Sequence, residues 1–171
     1  MKRIYMLAAL LALLFTAAPA EKAPAPAAKK VAPVSVSTAS YQAKRIKDKK
    51  TGKVITKWVR AHRVVPGTVV RYIDTVTNRT DKPLKNVAIK NPINPHLTYV
   101  AQTAKCATGC RIYYSVDGGK HFDVPEKLFV KDLKTGKRRP ANPKEYNAIQ
   151  WVIDEVPAES NTTVEFKAKL K

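Results

Sequence analysis

The chain has 171 residues, and its 32 lysines and arginines exceed its 13 aspartates and glutamates, which gives a formal net charge of +19 at pH 7. Such an excess favours anionic partners and long-range steering, and it carries no information about the fold. No Gly-x-Ser-x-Gly, His-Glu-x-x-His or phosphate-loop motif occurs. The three histidines are widely separated, at His62, His96 and His121. We therefore expect a non-enzymatic protein with no cofactor and no metal site.

The first twenty residues have the pattern of a signal peptide. Lys2 and Arg3 precede an apolar run, residues 4–15, that is short for a membrane span. Small residues at Ala18-Pro19-Ala20 predict cleavage before Glu21, and an uncleaved anchor is the alternative. Removing these twenty residues, with two basic charges, leaves 151 residues with 30 basic and 13 acidic side chains, a formal charge of +17. We expect an exported protein in the periplasm, at the cell surface or outside the cell, with no further membrane span.

Residues 21–40 are rich in Ala and Pro, and they predict a disordered linker before a single folded domain at residues 41–171. Residues 41–64 are the most basic segment. Extended runs at 41–47 and 54–60, with Lys50-Thr51-Gly52 between them, predict a hairpin or a leading edge strand. Lysines at such an edge would also discourage aggregation. The candidate polyanion-binding residues of this segment are Lys44, Arg45, Lys47, Lys49, Lys50, Lys53, Lys57, Arg60 and Arg63.

Trp58 lies among these cations. It is a candidate aromatic contact to a sugar or a base, because aromatic and cationic groups cooperate in such sites. The alternative is a core or half-buried position, which we also expect for Trp151, Tyr99 and Tyr114.

A strand within residues 65–78 organises the rest of the chain. The Pro66-Gly67 turn introduces a run rich in Val, Ile, Thr and Tyr that ends at a polar turn after Asn78. Alternation places Val70, Tyr72 and Val76 on the core side. Asp74 has the same parity, so it would need a salt bridge or a backbone hydrogen bond when buried.

Further short strands follow at intervals typical of an all-β sandwich of about seven strands, with a small β-barrel as the alternative. They are expected at residues 84–90, 97–100, 111–116, 128–131, 147–153 and 161–171. Two segments are predicted loops: Asn91-Pro92-Ile93-Asn94-Pro95, because prolines interrupt a ladder, and residues 132–142. The second loop and its flanks provide the other candidate polyanion-binding residues, Lys131, Lys134, Lys137, Arg138, Arg139 and Lys144.

Two short motifs are open to more than one interpretation. Cys106 and Cys110 predict a disulfide in an oxidising compartment, and soft-metal ligation with His96 or His121 is the alternative. Residues 115–122 resemble the Asp-box hairpin, Ser-x-Asp-x-Gly-x-Thr-Trp, with a structural turn favoured over a carbohydrate or calcium contact.

Residues 64–171 resemble the bacterial surface-repeat family known as domain of unknown function 11, an immunoglobulin-like module. The matching segments are Pro66-Gly67 through Tyr72 to Asn78, residues 87–95, Leu97-Thr98-Tyr99-Val100, Ile149-Gln150-Trp151, Pro157-Ala158-Glu159-Ser160 and residues 163–170. Asp74, Asn91 and the long basic loop depart from the family pattern. The resemblance implies an immunoglobulin-like antiparallel sandwich with a structural or adhesive role at the cell envelope, and it implies no catalytic residues.

Three hypotheses about function follow. In the first, the domain attaches electrostatically to an anionic envelope or extracellular polymer, such as lipopolysaccharide, teichoic acid or an acidic glycan, without specific nucleic-acid readout. In the second, it docks on another envelope protein by strand addition at an exposed edge. In the third, it is an envelope metal or redox protein that uses Cys106 and Cys110.

Overall fold

The structure is a computed structural model that describes residues 32–171. The predicted signal peptide and most of the predicted linker lie outside these residues. The described part is an all-β antiparallel sandwich, which confirms the predicted fold class. Its strands are β1 (Val34–Lys47), β2 (Val54–Arg60), β3 (Val69–Asn78), β4 (Leu84–Pro92), β5 (Leu97–Tyr99), β6 (Lys105–Cys106), β7 (Cys110–Ser115), β8 (Phe129–Lys131), β9 (Arg138–Pro140), β10 (Ala148–Val156) and β11 (Ser160–Leu170). Two short 3₁₀ helices occupy Pro125–Lys127 and Pro143–Glu145.

Two facing sheets enclose the core. The large sheet has the order β2-β1-β3-β11-β5, with β6 also paired to β11, and the small sheet has the order β4-β10-β7. The side chains of Ile149, Trp151 and Ile153 alternate along β10 and are fully buried, as the sequence predicts. Trp151 packs against Phe166 of β11, with ring centroids 6.0 Å apart. This contact joins the two sheets at the centre of the domain.

Strand β3 lies at the middle of the large sheet, between β1 and β11. Val70 and Val76 are buried, and Tyr72 stacks on Phe166 with ring centroids 5.0 Å apart. The predicted core face of this strand is therefore confirmed.

The predicted linker ends earlier than expected. Residues 34–40 belong to β1, where Val34 to Gln42 pair with β3 from Asn78 back to Val70. Arg79 holds the start of the strand through Nη1, which donates to Ser35 Oγ at 2.9 Å and to the Ala32 carbonyl at 3.1 Å. The linker was predicted from the scarcity of large side chains, and that criterion does not consider the backbone hydrogen bonds that a neighbouring strand offers.

Two predicted loops contain strand residues. Strand β4 continues through Asn91 to Pro92, which pairs with Ala148 of β10. Proline is tolerated there because β4 is an edge strand. Within the predicted loop 132–142, β9 pairs with β8 to form a separate hairpin.

Asp74 is 3% exposed and has partners other than the predicted ones. Its carboxylate accepts a hydrogen bond from Thr38 Oγ1 at 2.6 Å and another from Asn91 Nδ2 at 2.8 Å. Neither partner is a cation or a backbone group, so this part of the prediction was wrong. The three side chains come from β3, β1 and β4, and they tie the two sheets together by polar contacts.

The predicted disulfide between Cys106 and Cys110 is present. Cys106 belongs to β6 of the large sheet, whereas Cys110 begins β7 of the small sheet. The disulfide therefore links the two ends of the short segment in which the chain passes from the large sheet to the small sheet. Both thiols are consumed, so the soft-metal alternative would require a reduced form.

Replacing both cysteines by Ala should lower the free energy of unfolding by about 2 kcal/mol, since the bond closes a very short loop. A loss of this size corresponds to a decrease of roughly 5 to 10 °C in Tm. Thermal unfolding of the oxidised, reduced and double-Ala proteins checks this. An unchanged Tm after full reduction would contradict a stabilising role.

Candidate polyanion-binding surface

A basic hairpin extends beyond the sandwich. Strand β1 pairs with β3 only as far as Gln42, whereas it pairs with β2 up to Lys47. Residues 43–58 therefore form a two-stranded arm that continues past the end of β3. We call this segment the arm. Its residues are exposed or half-buried on both faces, and the register places Ile46 opposite Ile55.

The cations of the arm are exposed, and none of the ion pairs within residues 32–171 includes one of them. They are Lys44, Arg45, Lys47, Lys49, Lys50, Lys53 and Lys57. Asp48 is the acid of the arm, and its Oδ1 accepts hydrogen bonds from the backbone N–H groups of Lys50 and Thr51. Lys44 lies directly opposite Lys57 in the ladder, an arrangement that costs stability because the charges repel.

A groove of about 590 Å³ lies at the base of the arm, on the face that carries Lys44. Its lining includes Arg60, His62 and Arg63. The structure thus brings together three of the predicted polyanion-binding residues, Lys44, Arg60 and Arg63, which are spread along the sequence. His62 was not expected in this group, because a lone histidine in a basic segment carries no motif.

Trp58 lies on the opposite face from Lys57 and is half-buried. Its ring contacts two cations that sequence reasoning did not identify, Lys167 at 5.3 Å and Arg71 at 6.0 Å. Arg71 also forms a salt bridge with Glu165. These contacts attach the arm to β3 and β11, and no nearby sequence signal could have indicated them, because the cations lie far along the chain.

The hairpin of β8 and β9 carries most of the second predicted group of cations. Lys131, Lys134, Lys137 and Arg138 are exposed, and Arg138 stacks on Phe129 at 4.4 Å. Lys144 lies outside this hairpin, at the edge of a groove of about 600 Å³ that it shares with Lys169 and Tyr99.

Arg139 has a structural role instead. Its Nη1 and Nη2 donate to Glu145 at 2.8 and 2.7 Å, and its Nε lies 3.4 Å from Asp132 Oδ2. Two carboxylates therefore offset its charge. Arg139 positions the hairpin against the Pro143–Glu145 turn and is the weakest candidate of the predicted set.

This ion pair gives a pH prediction. The Arg139 guanidinium, helped by the Asn142 backbone N–H, lowers the pKa of Glu145 from 4.5 to about 2. A lowered folded-state pKa stabilises the protein above the unfolded value of 4.5, and this contribution disappears as the pH falls towards 2. Glu145→Gln should therefore be slightly less stable than the wild type at pH 6, and the difference in Tm should narrow steadily as the pH falls from 4.5 to 2. A constant difference across this range would contradict the assignment.

The predicted Asp-box segment is a self-contained turn. Ser115 Oγ donates to Asp117 Oδ1 at 2.7 Å, and Asp117 accepts the backbone N–H groups of Lys120 and His121. The His121 backbone N–H is the largest cause that lowers the pKa of Asp117. Its carboxylate is thus already occupied within the turn. Within residues 32–171 no group of three or more candidate metal ligands occurs, and no helix there is long and apolar enough to span a membrane.

No family model matches the chain, and no curated protein matches it in sequence. The resemblance to domain of unknown function 11 therefore stays a prediction. Among solved structures, the chain is similar to a Corynebacterium diphtheriae protein that is provisionally described as membrane-anchored, with a TM-score of 0.47 and 16% sequence identity. The similarity covers 84% of this chain and 29% of that one, so this chain spans less than a third of its length.

Proposed function

We propose that this protein is a non-enzymatic, exported module that attaches electrostatically to an anionic polymer of the cell envelope or its surroundings. The observation that carries the proposal is the arm, a projecting ribbon with seven exposed cations and one acid that is used to close its turn. Because the ribbon is exposed on both faces, its cations can contact polymer chains on either side. The groove lined by Lys44, Arg60 and Arg63 extends this positive surface to the base of the arm.

Two features favour binding over a surface that only maintains solubility. The formal charge of +17 that remains without the predicted signal peptide exceeds the magnitude of about 2 to 8 that a small domain needs for solubility. In addition, Lys44 opposite Lys57 lowers the stability of the hairpin, so their charges are not placed to support the fold. The disulfide and the predicted signal peptide accord with an oxidising compartment outside the cytoplasm.

The test is binding of residues 21–171 to heparin and to purified envelope fractions across a salt series. Counterion release predicts that the logarithm of the affinity falls linearly with the logarithm of the salt concentration. Absent or salt-independent binding would reject the proposal.

A second candidate function is docking on another envelope protein by strand addition. Strand β2 supports it, because β2 pairs only with β1 and leaves its other edge without a partner among the described strands. Main-chain pairing and apolar contacts depend weakly on salt. Complexes from envelope extracts that persist at about 1 M salt, where charges are screened within roughly 3 Å, would favour this function over the first.

A further inference from the structure

The two basic hairpins carry the same seven-residue pattern at their tips. Residues 47–53 are Lys-Asp-Lys-Lys-Thr-Gly-Lys, and residues 131–137 are Lys-Asp-Leu-Lys-Thr-Gly-Lys. Six of the seven positions are therefore identical. The differing position places Leu133, which is 100% exposed, where the first tip has Lys49. We call these segments the first tip and the second tip.

Both tips share the hydrogen bonds that their backbone N–H groups donate, and the second tip adds one from Thr135 Oγ1 to Asp132 Oδ1 at 3.0 Å. The backbone N–H of Asp48 donates to the Lys53 carbonyl at 2.8 Å, and Asp132 donates to Lys137 at the same distance. Gly52 and Gly136 both have φ of 69°, which favours glycine. The first tip closes with Lys50 and Thr51 N–H groups bound to Asp48 Oδ1. In the second tip the corresponding N–H groups bind Asp132 Oδ1.

The turn explains only part of the shared pattern. Asp accepts the backbone N–H groups, Thr accepts the N–H of the last residue at 3.4 Å in both tips, and Gly supplies the left-handed conformation. None of these roles involves a lysine side chain. The three shared lysines of each tip are exposed and form no ion pair within residues 32–171. The repeated lysines therefore require an explanation other than turn formation.

Strand pairing places the points where both hairpin segments leave the sheets at one end of the sandwich. The arm leaves the large sheet where Gln42 pairs with Val70, the first part of β3. The segment that carries β8 and β9 leaves and re-enters the small sheet at Ser115 and Ala148, which pair with each other. Further strand pairs link these exit points across that end of the sandwich. Ala148 of β10 pairs with Pro92 of β4, Leu97 of β5 pairs with Leu170 of β11, and Ala168 of β11 pairs with Val70 of β3.

We propose that the two tips bind one linear polyanion at the same time, each tip holding a separate cluster of sulfate or phosphate groups along the chain. The inference rests on the proposed function, and it adds that the ligand is a polymer with a repeating anionic group rather than a small anion. Binding by one tip makes the second contact intramolecular, so two weak sites together gain affinity without a new kind of contact.

The experiment compares a long heparin chain with a fragment that is too short to span both tips. The wild type should bind the long chain about 100-fold more tightly than the fragment, the lower end of the usual gain from two linked sites. Lys50→Gln with Lys53→Gln removes two charges from the first tip, and Lys134→Gln with Lys137→Gln removes the equivalent two from the second. Either pair should reduce affinity for the long chain by about 10-fold or more, and affinity for the fragment by only about 2-fold.

A charge-matched control is Lys82→Gln with Lys85→Gln, at the turn before β4 on the opposite end of the sandwich. This variant should keep the preference for the long chain. All variants retain the Asp, Thr and Gly of the turns, so their Tm values should match the wild type. Binding to inorganic polyphosphates of graded length tests whether phosphate can replace sulfate. Affinity that increases with the length of either polymer supports the inference.

The outcomes separate the two proposals. If the wild type binds neither polymer, both proposals fail. If the wild type binds the long chain and the short fragment with equal affinity per binding site, electrostatic attachment stands and simultaneous binding by two tips is overturned. Simultaneous binding is also overturned if the second-tip variant keeps the affinity of the wild type for the long chain.

Discussion

Replacing Lys44, Arg45 and Lys57 by Gln should weaken binding to heparin by roughly 10- to 100-fold at low salt, because three cations no longer displace counterions from the polymer. The slope of log affinity against log salt should become shallower by about 3. Stability should change in the opposite direction. Lys44 and Lys57 are directly opposed in the ladder, so removal of their repulsion should raise the free energy of unfolding by a few tenths of a kcal/mol, about the lower limit for a cross-strand pair.

The two opposite effects make this variant informative. A charge-matched control replaces Lys82, Lys85 and Lys105, three exposed lysines outside the arm. The control should lose affinity only through the change in net charge, and its salt slope should stay near the wild-type value. Heparin affinity measured at several salt concentrations and denaturant unfolding of both variants check the prediction. An arm variant that binds like the control would show that the arm is not the contact surface.

Trp151→Ala should lower the free energy of unfolding by about 3 to 5 kcal/mol, the usual cost of removing a large aromatic side chain from a core. Trp151 is fully buried on β10 and contacts Phe166 of the other sheet. The loss is a large part of the total stability of a domain, which is about 5 to 15 kcal/mol. Urea unfolding measures it directly.

Two comparison variants identify the cause of this loss. Trp151→Phe should cost less than half as much as the Ala variant, because it keeps an aromatic ring and removes an indole N–H for which no described residue offers an acceptor. Trp58→Phe should cost about 1 kcal/mol, because Trp58 is half-buried and the smaller ring packs less well and weakens the contacts to Lys167 and Arg71. Equal losses for Trp58→Phe and Trp151→Ala would contradict the assigned core.

The local sequence pattern was sufficient to predict which residues are buried in the strands that bury one face. In β3, Val70 and Val76 are buried and their chain neighbours are more exposed, and in β10 Ile149, Trp151 and Ile153 alternate with the more exposed Gln150 and Val152. Successive side chains of a strand point to opposite faces, so every second residue lies on the buried face. Such residues can therefore be assigned without knowledge of the neighbouring strands. The disulfide was predictable for a similar reason, since Cys106 and Cys110 are close in sequence.

The position of the candidate site was not predictable in the same way. The basic residues 44–63 were identified, yet their projection beyond the sandwich depends on β1 pairing with β3 only as far as Gln42. Likewise, Arg139 was expected to bind a polyanion, and its pairing with Glu145 and Asp132 depends on how the hairpin packs.

The sequence alone determined the all-β class, the core parity of β3 and β10, the disulfide and the abundance of cations. Each of these depends on residue type and short-range spacing. The tertiary structure decided which cations stay exposed, which partners Asp74 and Trp58 take, and that the segments carrying the two lysine-rich tips leave the sheets at one end. Those features depend on register between strands far apart in the chain, and register is set by the packing of whole sheets rather than by local propensity.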